Sequence, residues 1–131
     1  MSKYGQMICQ CGLIAREKHH IVFRSQVKQL ENCKLNHIYL CAECHRGTNG
    51  VHGKNGHELD RKLKLQFQNK LEFLFSKEYL TKKDIKEILG IKDNAVDSLC
   101  KLMKQEKGMF NRDDVIRACM GGRIILQEET E

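Results

Sequence analysis

Residues 36–53 read NHIYLCAECHRGTNGVHG, and the way this stretch divides decides the fold. Ile38 to Leu40 is a short apolar run that reads as a strand. Cys41 and Cys44 follow at the two-residue spacing that presents two thiolates to one metal ion. His45 comes next, and then GTNG, whose two glycines argue against a regular helix. A segment built this way has little apolar surface to bury. It is expected to be held by a metal staple as well as by packing.

Towards the N-terminus, Cys9 and Cys11 in CQCG offer two more thiolates. Cys9, Cys11, Cys41 and Cys44 together make a closed, four-thiolate structural zinc site. Between the two pairs lies EKHHIVFRSQ, Glu17 to Gln26. His19 and His20 stand at the head of an apolar run, Ile21 to Phe23, which reads as a second short strand. Neighbouring side chains of a strand point to opposite faces, so these two histidines cannot serve one core. The pair suits a division of work, one ring on a metal and the other on a proton.

Towards the C-terminus the period changes. Leu59, Leu63, Phe67, Leu71 and Leu74 recur at helical spacing between Arg61, Lys62, Lys64 and Lys70, which predicts an amphipathic helix over Glu58–Phe75. Thr81 with Asp84 reads as an N-cap pair, Leu80 with Ile85 as a hydrophobic staple, and Gly90 as the left-handed residue that ends a helix carrying Ile85, Ile88 and Leu89. A second helix is expected from Asn94 through Val96, Leu99 and Met103 to Gly108. A third should open at the Asn111–Asp114 pair and run through Val115, Ile116 and Cys119 to two glycines. Helix, glycine turn, helix is the order of a helix-turn-helix. In that reading Lys92, Asn94, Asp97, Ser98 and Lys101 face DNA; in the plainer one the three helices pack together or against another protein.

The whole chain of 131 residues carries a net charge of +6. The excess lies mainly in residues 1–75, which hold twelve Lys or Arg against six acids, and it suits a polyanionic partner. No signal-peptide pattern opens the sequence and no apolar run reaches the roughly 20 residues of a membrane span. Seven cysteines in a chain read as cytoplasmic are metal ligands where clustered. The isolated ones, Cys33, Cys100 and Cys119, read as small buried hydrophobes or surface thiols.

The Cys pairs, the HHI, and an Asn five residues before C-x-x-C-H together resemble the HNH endonucleases of the ββα-metal fold. GTNGVHGKNG followed by a Leu- and Lys-rich helix is similar to HNH proteins of bacteriophages and prophages. The resemblance covers about residues 7–70. It implies an α+β protein: a zinc-stapled ββα-metal nuclease module over 1–56, a connecting helix over 57–78, a helical, helix-turn-helix-like module over 79–123, and an acidic tail over 124–131. It implies hydrolysis of DNA phosphodiester bonds in a bacterial host cell, with His20 as general base and Asn36 bracing the loop that orients it. His19 and His45 would ligate a divalent cation, magnesium, manganese, nickel or zinc. The third ligand is His52, reached through a loop at GTNG, with Asn49 one helical turn beyond His45 as the alternative. His37 and His57 read as bystanders, and Arg24, Arg46 and Lys54 as phosphate contacts. Two rivals stand beside this reading: a non-catalytic DNA-binding or regulatory protein, and a protein-interaction module, each on the same scaffold.

Overall fold

A computed structural model describes residues 7–126, an α+β fold with five helices and small antiparallel sheets among those residues. The chain opens with a hairpin, β1 (Met7–Ile8) and β2 (Ile14–Ala15), whose turn carries Cys9 and Cys11. β3 (Glu17–His20) and β4 (His37–Leu40) form a second antiparallel ribbon, with Lys18 opposite Tyr39 and His20 opposite His37.

The strand expected over Ile21–Phe23 is displaced: β3 stops at His20. The reason is Asn36. Its amide takes over the two backbone groups of Val22 that a ladder would use, accepting from Val22 N at 2.8 Å and donating to Val22 O at 2.9 Å. Freed from the ladder, the chain turns inward, and Ile21 and Val22 drop into the core. Two 3₁₀ turns, Lys28–Leu30 and Lys34–Asn36, lead into β4.

α1 (Ala42–Arg46) is a single turn capped by the Cys41 sulfur, which accepts from Cys44 N. The glycine-rich loop then folds back along it: Val51 N bonds Cys44 O and His52 N bonds His45 O. Successive turns stack so closely that a Cβ on Gly53 would meet the Gly47 carbonyl, and one on Gly56 the Gly50 carbonyl. Only glycine allows that approach.

α2 (His57–Leu74) follows the predicted period and buries Leu63, Phe67 and Leu71. Each such burial contributes about 1.5–3 kcal/mol. The last carbonyls of α2 would face the core unpaired, but Arg112 donates to Glu72 O and Phe75 O.

β5 (Tyr79–Leu80) precedes α3 (Lys82–Leu89), whose capping box is complete: Thr81 Oγ1 accepts from Asp84 N, and Asp84 Oδ2 from Thr81 N, both at 3.1 Å. Gly90 ends the helix at φ 65°. α4 (Asp93–Cys100) is shorter than the expected run to Gly108. Lys107 and Gly108, at φ 53° and 78°, make a tight hairpin turn between β6 (Gln105–Glu106) and β7 (Met109–Asn111). That hairpin sets Phe110 opposite Leu80 in the order β5–β7–β6, and both side chains are buried. A longer α4 would forfeit the pair. Asn111 caps α5 (Arg112–Cys119) by accepting from Asp113 N rather than from Asp114.

One cluster of buried side chains joins all of this, from Val22, Leu30 and Leu40 through Phe67 and Phe75 to Ile85, Leu99 and Val115. Cys33, Cys100 and Cys119 are buried in it. Of the expected acidic tail, Ile125 is clamped by the Gln68 amide, and residues 127–131 lie outside the described residues. No helix among the described residues is long and apolar enough to cross a membrane.

Candidate active site and metal centres

Among the described residues, two groups of metal-binding side chains converge. The first is Cys9, Cys11, Cys41 and Cys44, whose sulfurs lie within 4.8 Å of one another. The β1–β2 turn brings one pair and the start of α1 the other. Burial opposes ionisation of Cys9, but the N–H groups of Cys11 and Cys41 and the thiols of Cys44 and Cys11 outweigh it and bring the group down to about 7. Burial, with the neighbouring thiols, pushes Cys44 up to about 12. The first proton leaves this cluster readily and the last does not, so four thiolates need a cation among them. The donor set fits zinc in a closed site.

The second group is His19, His45 and His52, with ligand nitrogens again within 4.8 Å of one another. β3 supplies the first, α1 the second and the glycine-rich loop the third; their ring centroids are 4.8–5.1 Å apart. His19 is 2% exposed, and its Nε2 is buried with no hydrogen-bond partner. Such an orphaned nitrogen costs free energy unless something meets it, and a divalent cation held by all three rings would do so. Burial first, and then the rings of His52 and His45, lower the His19 pKa to about 3. The ring therefore stays neutral, the form that ligates. Asn49 is exposed and does not line this cleft.

Glu17 completes the group, although the sequence reading gave it no role. His45 Nδ1 donates to Glu17 Oε1 at 2.8 Å, which leaves Nε2 free to ligate. Arg46 grips the same carboxylate with Nε at 2.9 Å and Nη2 at 2.7 Å. Hydrogen bonds from Arg46 and His45 lower the Glu17 pKa to about 2. A carboxylate behind a ligating histidine fixes its tautomer and orientation. The signal was available: Glu17 and His19 are two apart on one strand and share a face.

His20 lines the same cleft, of about 530 Å³, with Lys18, Phe23, Arg24 and the three histidines. Its Nε2 donates to the Glu31 carbonyl at 2.9 Å, so Nδ1 keeps the free lone pair. Burial lowers its pKa, against the pull of that carbonyl. His37, read from sequence as a bystander, donates to the same oxygen at 2.8 Å and packs its ring 4.8 Å from His20. Asn36 is fully buried and touches the chain at Val22 rather than at His20 itself.

The expected phosphate contacts fare unequally. Arg46 is occupied by Glu17, Arg24 pairs with Glu31 at 3.3 Å on the rim of the cleft, and Lys54 is exposed in the loop beyond His52. Asn94 on α4 and the flanking Lys92 and Lys101 are exposed. Ser98 bonds Gln29, while Asp93 and Asp97 pair with Lys86 and Lys82 of α3. His57 is exposed at the start of α2.

The arrangement defines a class of site: a closed thiolate set beside an open imidazole set, with a further histidine on the same cleft. Comparison of the chain with protein-family models, with curated proteins and with solved structures finds no match. Function is therefore read from the site itself.

Proposed function

We propose that the protein is a metal-dependent endonuclease of the HNH type that hydrolyses phosphodiester bonds in DNA. The observation that carries the reading is the convergence of His19, His45 and His52 on one cleft with His20, whose tautomer is set by a backbone carbonyl.

His19, His45 and His52 would hold a divalent cation, which supplies positive charge at the scissile phosphate and at its leaving oxygen. Three imidazoles favour manganese, nickel or zinc over magnesium, which prefers oxygen ligands. His20 takes the proton of the attacking water at Nδ1 while Nε2–H holds the Glu31 carbonyl. The water oxygen bonds to phosphorus as the ester oxygen departs. Glu17 keeps the His45 ring aimed, and Asn36 fixes the turn after His20. The thiolate cluster ties the β1–β2 hairpin to α1 and so holds His45 in place. We read the C-terminal section as helix-turn-helix-like, a reading supported by the order α3, Gly90, α4 and the hairpin β6–β7. Its outward Lys92, Asn94 and Lys101 are the side chains left for DNA.

The test is cleavage of supercoiled plasmid by metal-stripped protein given magnesium, manganese, nickel or zinc in turn, beside His20→Ala. Cleavage should need the ion and fall at least about a hundredfold in the variant, as loss of a general base requires. If plasmid, branched and single-stranded DNA all stay intact with every ion, the nuclease reading fails.

A further inference from the structure

Beside the catalytic cleft lies a second groove, of about 650 Å³, and Lys18 lines both. The groove runs over the β3–β4 ribbon, where Lys18 stands opposite Tyr39 and His20 opposite His37. Alternation along β3 puts Lys18 and His20 on one face, and Glu17 and His19 on the other. The ribbon shows Lys18, His37 and Tyr39 to this groove, while His20, next along the same face from Lys18, lines the cleft. Lys34, Asn32 and Ile8 also line it, and no carboxylate among the described residues does.

Charge distinguishes the groove from the surroundings of the histidines. There Arg46 has Glu17, Arg24 has Glu31 and Lys64 has Asp60, and Lys18, which lines both cleft and groove, is the cation without a carboxylate among the described residues. Lys18 and Lys34 are exposed and have no such partner among the described residues. Two unmatched ammonium groups flank the half-buried ring of Tyr39, and this combination suits a nucleic-acid strand: cations for the backbone and an aromatic face for a base. Lys18 and His20 are two strand residues apart, roughly 6.7 Å along β3, a separation on the scale of one nucleotide step.

We propose that this groove binds the DNA strand where it leaves the cleft past Lys18, with Lys18 and Lys34 on its phosphates and Tyr39 against a base. The proposal rests on the nuclease reading for what enters the cleft, but binding can be measured without catalysis. The experiment is fluorescence polarisation of a labelled single-stranded oligonucleotide and its duplex, with the full chain, no added divalent ion and a series of salt concentrations. Wild type is compared with Lys18→Ala, Lys34→Ala, the double variant and Tyr39→Leu, and with Lys70→Ala on exposed α2 as a charge-matched control.

Each groove lysine should remove one counterion-releasing contact, lowering the slope of log K against log salt by about 0.7 on the single strand or 0.9 on the duplex. The double variant should lose about twice that, while Lys70→Ala leaves the slope in place. Tyr39→Leu should weaken single-strand binding about tenfold, the effect of losing one stacked base. A double variant with the wild-type slope, or one matched by Lys70→Ala, overturns the groove. Wild type that does not bind DNA overturns it as well. Specific loss of binding in the variants of a protein that leaves DNA intact with every metal would uphold the groove while the nuclease reading falls. Metal-dependent cleavage with KM unchanged in the double variant would do the reverse.

Discussion

Replacing Asn36 by Ala should destabilise the protein by about 3–4 kcal/mol. The side chain is fully buried and its amide meets two backbone groups of Val22, itself 1% exposed, at 2.8 and 2.9 Å. Truncation leaves one N–H and one C=O without partners in a place water does not reach, at about 1–3 kcal/mol each. That is a large part of the 5–15 kcal/mol by which domains are stable. Urea unfolding at pH 7 with zinc present should show a lower midpoint at an unchanged slope. Asn36→Asp gives a sharper test. Its carboxylate can accept from Val22 N, but it sets a second oxygen against Val22 O, so burial and repulsion raise its folded pKa above the unfolded one. Protonation restores the donor. The deficit of this variant relative to wild type should therefore be largest at pH 7 and shrink as the pH falls towards 5, while that of Asn36→Ala stays level. An Ala variant within about 0.5 kcal/mol of wild type, or an Asp variant whose deficit ignores pH, would refute the clamp.

Two further outcomes follow from the histidine site. Glu17→Gln keeps the shape of the side chain but loses the charge that holds His45 and Arg46, so nickel or zinc affinity at the three histidines should drop about 10–100-fold; calorimetric titration showing equal affinity would count against that role. His19 has a folded pKa of about 3 against an ordinary 6.5, so the folded state binds fewer protons between those values. Stability from this group is complete above pH 6.5 and is lost as the pH falls towards 3, by about 1.4 kcal/mol per unit. With the histidine site stripped of metal, wild type should lose about 3 kcal/mol more than His19→Phe between pH 6.5 and pH 4, and parallel curves in urea titrations would contradict this.

What could be read in the sequence was set by range. α2 and the capping box of α3 are local: a period of 3.6 and a Thr–Asp pair three apart need no distant partner, and both are found where expected. The C-x-x-C pair and His45 are local too. What escaped depended on contacts across the fold. The end of β3 is decided by Asn36, fourteen residues beyond Val22, and the end of α4 by the burial of Phe110 against Leu80. Glu17 escaped although it opens EKHHIVFRSQ and shares a strand face with His19, because its role turns on α1 bringing His45 and Arg46 to it. His52 was preferred to Asn49 on the two glycines of GTNG, and the contacts behind that preference are long in range: glycine stacking lays the loop back along α1.

The question posed by two adjacent histidines resolves into one about a four-residue strand. Glu17 and His19 face the ligand side; Lys18 and His20 face the other. On the proposed reading, four adjacent residues would supply a brace, a ligand, a cation and a base, kept apart by alternation. So short a strand holds little order by itself, and its ladder to β4 ends at His20. There the His20 ring is held by the Glu31 carbonyl, which sits just past the Lys28–Leu30 turn. This turn and its neighbours are held from the C-terminal side. Gln29 Nε2 donates to Ser98 Oγ at 3.0 Å, the Cys33 thiol donates to Leu89 O at 3.2 Å, and Gly121 packs against Gln26 and Val22. The helices after α2 therefore do more than stand beside the histidine site. They pin the loop whose carbonyl selects the tautomer of His20, so the C-terminal section belongs to the architecture around that ring.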